Sequence, residues 1–259
     1  MAIITFMSDF GRRDHYVAAV KAKIFQYNPS AQIVDISHEI TPFDIAHGAF
    51  VLSSIFRDFP AGSVHLVAVN SQLKSHEKFI AVKMEEHFFV GTDNGIFSLV
   101  SEKIPTSIVE LNGENDELHS FSAKNILAPA ATALANGKNI YDLGRQLTEI
   151  NTMLNRQLRI TRNAIVGNVV HVDGFGNLIT NISRNAFNQF WDKRSVVIGF
   201  GRHKIYTLHQ SYSSVEEGEC VVFFNSLNMI EIAINKGSAS MLLGLEFDSP
   251  ITINFVPEY

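Results

Sequence analysis

The hydrophobic pattern changes period partway along this chain, and that break limits its folds more than any other feature. From Ile3 to about Asn151, short apolar runs alternate with helical spacings. Ile3–Phe6 predicts a strand, and Asp14–Tyr27 follows with Val17, Val20, Ile24 and Tyr27 at helical intervals. Gln32–Ile36 predicts the next strand. Asp44–Phe56 places Ile45, Ala49, Leu52 and Phe56 on one helical face, with Asp44 in the first turn, where the macrodipole favours an acid. Further strands are predicted over Ser63–Val69, Phe79–Met84 and His87–Val90, and an Ala-rich helix over Asn125–Asn136 stops at Asn136-Gly137. Strands alternating with helices give a largely parallel sheet covered on its faces.

From about Ile160 short β-rich runs take over: Ala164–Val172, Leu178–Ile182, Ser195–Gly199, His203–Leu208, Cys220–Phe224, Met229–Ile234 and Ile251–Phe255. Only the stretch near Gly237–Leu243 is helical in pattern. Such a series predicts a small antiparallel barrel or sandwich. The expected organisation is therefore an α/β N-terminal domain over 1–153 and a smaller antiparallel C-terminal domain over 160–259, with the polar stretch Gly144–Arg159 as linker.

Composition removes several function classes. Hydrophobic residues at 46% and charged residues at 18% exclude a disordered chain. A net charge of −5 with scattered Lys and Arg excludes a nucleic-acid surface. The single cysteine, Cys220, lies in an apolar run and reads as a small buried hydrophobe. No HxH or HExxH spacing occurs among the dispersed histidines, so no metal site is expected, and no GxxxxGK[ST] loop is present. No leader pattern opens the chain and no apolar stretch reaches membrane-spanning length, so a cytoplasmic protein without membrane partners is expected.

Five segments carry the candidate chemistry. They are Ser8-Asp9-Phe10-Gly11 with Asp14 and Tyr16; Val34–Ile40; Val90-Gly91-Thr92-Asp93-Asn94-Gly95; Asp173-Gly174-Phe175-Gly176-Asn177 running on to Ile182; and Asn225–Ala233. From residue chemistry alone each has a structural and a ligand-binding reading. Asp9, just past the first strand, suits acceptance from a pair of hydroxyls or a helix cap. Asp14 suits a first helical turn or a cation. Phe43 packs, or offers an aromatic face to a flat ring or a cation. Asp173, Phe175 and Asn177 form a tight hairpin, or meet a polar ring edge, with Gly174 and Gly176 admitting a flat ligand. His38, beside a strand, reads as a hydrogen-bonded packing residue.

In order and spacing the five segments resemble the S-adenosylmethionine hydroxide adenosyltransferase family, which includes fluorinating and chlorinating enzymes that act on the same substrate. The resemblance implies an α/β domain followed by a β-barrel, and a homotrimer. Each adenosyl ligand would lie between the N-domain of one subunit and the C-domain of its neighbour. No cofactor is implied, since S-adenosylmethionine is itself substrate or ligand. The implied binding residues are Asp9, Phe10, Asp14, Phe43, Asp173, Phe175, Asn177, Asn225, Ser226 and Glu231. Asn228 stands where the family often has glycine, a position asparagine tolerates in left-handed backbone.

Catalysis is where the chain departs from the family it resembles. Hydrolysing members orient water or hydroxide with Asp, Arg and His, and the matching positions here are Asn70, Glu77 and Ser122. An amide cannot act as a base near neutral pH. Glu77 could, with His76, Lys74 or Lys78 supplying a nearby donor or charge. Halide transfer is the poorer reading, because the long insertion of fluorinating members is missing between Asn70 and Phe89 and Ala123 stands in place of their serine. Two functions remain: an S-adenosylmethionine-binding member that hydrolyses its ligand to adenosine and methionine through a substituted triad, or a catalytically inactive trimeric adenosine-binding or interaction protein.

Overall fold

A computed structural model describes residues 2–72, 77–112 and 120–256. Lys74 and His76, named above as stand-in donors, lie outside the described residues. The chain divides into two compact units, Met1–Leu154 and Asn155–Tyr259.

Unit 1 is built on β1 (Ile4–Ser8), α1 (Tyr16–Tyr27), β2 (Ile33–Ser37), α2 (Ile45–Ser53), β3 (Val64–Ala68), β4 (Phe79–Met84), β5 (His87–Thr92), α3 (Ile96–Val100), β6 (Ser107–Leu111), α4 (Ala128–Ala135) and β7 (Gly144–Gln146). Its sheet runs β2-β1-β3-β5-β4-β6-β7. The first four strands are parallel, and only β4 and β7 run against the rest. Strands β1 and β3 are buried at every position, as expected where helices cover both faces. Alternation along β1 sends Phe6 to the face with Val20, Ile24 and Ala131, and Met7 to the face with Leu52, Phe89 and Phe97.

Several boundaries differ from the sequence expectation for identifiable reasons. Asp44 does not sit in the first turn of α2; it is the N-cap, accepting from His47 N at 2.9 Å. The Ala-rich helix opens with a π-type turn, Ala123–Leu127, before α4, and ends as expected at Asn136 with Gly137 at φ +89°. The stretch after Gly144 is not a plain linker. Gly144–Gln146 is an edge strand, Leu147 and Ile150 pack on the core, and Asn151 N donates to Asp93 Oδ1 at 2.8 Å.

Unit 2 contains β8 (Arg159–Ile160), β9 (Ala164–Val172), β10 (Leu178–Ser183), α5 (Arg184–Trp191), β11 (Ser195–Phe200), β12 (His203–Ile205), β13 (Cys220–Phe224), β14 (Met229–Ile234), α6 (Ala239–Leu243) and β15 (Pro250–Val256). Its sheet, ordered β12-β11-β15-β9-β10-β14-β13 with β8 on β9, is antiparallel throughout and curls barrel-like around Ile165, Leu178, Ile198, Ile232 and Phe255. Helix α5, unforeseen in the sequence, starts at a Ser183 cap and drives Phe187 against the rings of Phe224 and Phe255. No helix among the described residues is long and apolar enough to cross a membrane.

Candidate functional site

The chain leaves β1 through α1 to β2 on one side, and reaches β3 on the other side by way of α2. The carboxyl ends of β1 and β3 therefore diverge at a topological switch point, the usual ligand crevice of an open α/β sheet. Asp9 follows β1, and Asn70 lies two residues past β3.

One oxygen of Asp9 ties the crevice together. Oδ2 accepts from Phe43 N and Asn70 N, each at 3.0 Å, while Oδ1 takes no hydrogen bond from the described residues. Both donors have left-handed backbone, Phe43 at φ 66° and Asn70 at φ 47°. Asparagine tolerates this conformation; for phenylalanine it is strained, and such strain persists where the surroundings enforce it. The consequence for Phe43 is a ring left 65% exposed at the mouth of the crevice. Asn94 fixes the Asn70 loop from below, its Nδ2 donating to Val69 O at 3.1 Å and to Asn70 O at 3.3 Å. Ser122, at the start of the π-type turn, donates from Oγ to Ser71 O at 3.0 Å. Asn70 and Ser122 are thus joined through one loop. Glu77 is half-buried and its charge bears on Asp93, whose carboxyl is held above the usual range chiefly by burial.

The loop after β1 is anchored by His38. Its Nδ1 pairs with Ser8 Oγ at 2.8 Å, its carbonyl accepts from Gly11 N at 2.8 Å, and its ring packs on Phe6. Its Nε2 lies 3.2 Å from Asp35 Oδ1, an attraction at ion-pair distance rather than an aligned hydrogen bond. Burial holds the imidazole below its ordinary pKa, with Asp35 opposing. His38 is a packing residue, as its sequence context suggested. Asp14 is exposed and precedes the His15 cap of α1, so it is not a first-turn acid. Phe10, Tyr16 and Phe121 form a three-ring cluster with centroids 5.4–6.0 Å apart beside these loops. Phe121 drew no attention in the sequence; its position next to Ser122 was the available signal.

Unit 2 carries a second set of groups. Asp173 Oδ1 accepts from Phe175 N and Asn177 N at 2.9 and 2.8 Å, and Oδ2 accepts from Asn177 Nδ2 at 2.9 Å. The carboxylate is spent on shaping the turn, and the turn presents Phe175, 82% exposed. Gly176, at φ +83°, makes its close approach to Ser238 and not to an open face, correcting the sequence reading of that glycine. Thr180 and Asn181 are likewise committed to the sheet, through Ile230 O and Asn168 N. Beyond the turn lies a cavity of about 520 Å³ lined by Phe175, Asn177, Tyr212, Ile234, Lys236 and Ser238. Tyr212 was missed in the sequence because it lies in a polar, turn-like stretch. Its hydroxyl donates to Glu231 Oε1, and Asn225 Nδ2 donates to Oε2 at 3.0 Å. Burial and the Glu231 carboxylate push the phenol pKa up. Asn225 Oδ1 also closes the β13–β14 turn by accepting from Leu227 N and Met229 N. In that turn Ser226 is exposed, and Asn228 takes φ 56° in place of a glycine. Among the described residues no group of His, Cys, Asp or Glu is arranged to hold a metal ion.

Comparison with known proteins adds the following. The model of the SAM hydroxide adenosyltransferase N-terminal domain matches residues 4–144, and that of the C-terminal domain matches residues 167–252. A relative from Methanocaldococcus jannaschii named (R)-S-adenosyl-L-methionine hydrolase is 34% identical over 97% of this chain and 95% of its own length. A protein of the same name from Thermus thermophilus is 29% identical over 98% of this chain and all of its own. A fluorinase from an Actinoplanes species is 21% identical over 97% of each chain. Among solved structures, that of an uncharacterized conserved protein from Thermotoga maritima superposes with a TM-score of 0.88 at 32% identity, covering 97% of this chain and 100% of that one.

Proposed function

The chain belongs to the S-adenosylmethionine hydroxide adenosyltransferase family, and from that premise we propose that it binds S-adenosylmethionine and hydrolyses it to adenosine and methionine. The observation that carries this reading is Asp9, with one oxygen fixed by two left-handed loops at the switch point and the other keeping its lone pairs for a ribose hydroxyl. Phe43 supplies an exposed face for the ligand, and Asp14 a carboxylate for the methionine ammonium. In unit 2, Phe175, Asn177 and the adjoining cavity take the adenine, while Asp173, Asn225 and Glu231 hold the walls in place. Phe10 and Ser226 complete the proposed ligand contacts of units 1 and 2.

The reaction needs little acid–base help. A lone pair of water forms the new bond to C5′, the C5′–S pair stays on sulfur as a neutral thioether, and one proton leaves to solvent. No general acid is required, and the work falls to in-line placement and partial desolvation of the water. Relatives named as hydrolases at 34% and 29% identity favour hydrolysis over halide transfer. In this reading the two halves of each site come from different copies in a homotrimer; a monomeric mass by light scattering overturns that assembly.

A second reading has its own support. Asn70 carries an amide in place of a carboxylate, and Ser122 spends its proton on Ser71 O. A chain so substituted could keep the ligand and lose the reaction. One assay separates the two. Purified protein is incubated with S-adenosylmethionine and adenosine is followed, beside a variant carrying Asn70→Asp, Glu77→Arg and Ser122→His. Turnover by the unmodified chain supports hydrolysis. Binding with turnover only in the triple variant leaves the inactive reading.

A further inference from the structure

Two side chains hold Asn70 in its left-handed backbone: Asp9 takes its N–H, and Asn94 binds its carbonyl. Asn94 is only 8% exposed and stands two residues past β5, at the same carboxyl edge of the sheet. Its Nδ2 donates to Val69 O at 3.1 Å and to Asn70 O at 3.3 Å, while its Oδ1 accepts from Ile96 N at 3.2 Å. A backbone N–H can only donate, so the bond from Ile96 fixes which way the amide faces. Ala68, just before this turn, accepts from Asp9 N at 3.3 Å. The carbonyls of Ala68, Val69 and Asn70 are thus held in succession by Asp9 or Asn94, and Asn70 N is left aimed at Asp9 Oδ2. The corner that bears Asn94 is itself braced. Asn151 N donates to Asp93 Oδ1 and Asn151 Nδ2 to Asp93 O. Met153 packs where a side chain on Gly95, at φ +94°, would overlap it. A side chain locked on both sides in this way sets the place of what it holds.

We propose that Asn94 is a positioning residue for ligand capture: by holding the turn at Asn70 it keeps Asp9 Oδ2 engaged and so presents Oδ1 to the ligand's hydroxyls. The inference rests on the ligand-binding reading of Asp9 and adds to it a residue that touches no ligand atom. With Asn70 N in place, Asp9 Oδ2 has two backbone donors; without it, Phe43 N alone holds the carboxylate. A carboxylate already set spares the ligand the cost of ordering it. Asn94→Asp is the discriminating change, because it keeps the size of the side chain while turning two donors into an oxygen that faces two carbonyls. Desolvated there, the introduced carboxyl titrates above the usual carboxylate range. Once protonated it donates to one of the two carbonyls.

The test uses the full chain, the Asn94→Asp variant and two measurements. At pH 7.5 the variant is expected to bind S-adenosylmethionine and adenosine about tenfold more weakly by calorimetry, and the gap to narrow to about threefold at pH 5.5. Amide exchange followed by NMR is expected to quicken at Asn70 in the variant and to stay unchanged at Phe43, which shares the Asp9 oxygen but not Asn94. Equal affinity of the two proteins at pH 7.5 overturns the proposal. So does a gap that fails to narrow on acidification, or exchange that quickens equally at Phe43, since either makes Asn94 a general prop of the fold. If the unmodified chain binds neither compound, the ligand reading falls by itself. Exchange at Asn70 against Phe43 then decides whether Asn94 sets the clamp.

Discussion

Replacing Asp9 by alanine removes the acceptor of two backbone amides and the charge at the mouth of the crevice. Hydrogen bonds to a charged group contribute about 1.5–3 kcal/mol each, and the two left-handed residues they hold, Phe43 and Asn70, lose their anchor. The expected result for Asp9→Ala is a loss of about 2–4 kcal/mol in urea unfolding and loss of detectable binding of S-adenosylmethionine by calorimetry. Phe43→Leu separates recognition from folding. Because the ring is 65% exposed, stability should change by less than about 0.5 kcal/mol, while an aromatic contact worth about 1 kcal/mol or more is lost from the ligand, a five- to tenfold rise in Kd. Unchanged affinity would mean that Phe43 does not touch the ligand. The sequence made Asp9, Phe43 and Asn70 visible as separate candidates, because each matches a position of the family pattern. That they meet at one oxygen was not legible, since they are far apart in the chain and only the sheet order joins them.

Turns and short helices decide whether the elements present their residues. Gly176→Ala is the sharpest test in unit 2. Its φ of +83° disfavours any side chain, and a Cβ there overlaps Ser238 at the cap of α6. The variant is expected to lose about 2–4 kcal/mol, measured by urea unfolding with Trp191 fluorescence, and to weaken ligand binding by displacing Phe175 and Asn177. Retained stability and affinity would show that the turn can open away from Ser238. Strands β9, β13 and β14 were legible to the residue, since each is a short β-rich apolar run bounded by turn residues. Helix α5 was not, because its buried contact is the single Phe187 within a mostly polar stretch between two strands. β6 and β7 were missed for a related reason. They complete the sheet edge beside β4, and an edge strand as short as Gly144–Gln146 has no pattern long enough to read.

Each unit has its own core, so acid need not act on both alike, and the sheet of unit 1 contains the sensitive element. Thr5 of β1, His65 of β3 and His87 of β5 form a buried chain across three strands, with Thr5 Oγ1 2.8 Å from His65 Nδ1 and His65 Nε2 3.1 Å from His87 Nδ1. Phe56, Phe59 and Phe89 surround it; Glu85 and Glu86 act to raise His87 and Arg57 to lower it. Burial pushes the His65 imidazole down to about 3, with His87 adding to the depression, and burial lowers His87 as well. The unfolded chain binds these protons near pH 6.5 and the folded one does not. Stability from His65 is therefore complete above about pH 6.5 and is lost as the pH falls toward about 3. The slope is roughly 1.4 kcal/mol per pH unit for a single site, enough over two units to remove roughly a fifth to a half of the stability of an ordinary domain. Trp191, the only tryptophan, lies in α5 of unit 2 and reports on that unit. Between pH 6.5 and 4 the far-ultraviolet circular dichroism transition should move to lower temperature ahead of the tryptophan transition. His65→Gln, which keeps a neutral hydrogen-bonding group in the strand, should flatten that dependence. Coincident transitions at every pH would show that the two units unfold as one, and an undiminished slope in the variant would move the acid sensitivity away from this pair.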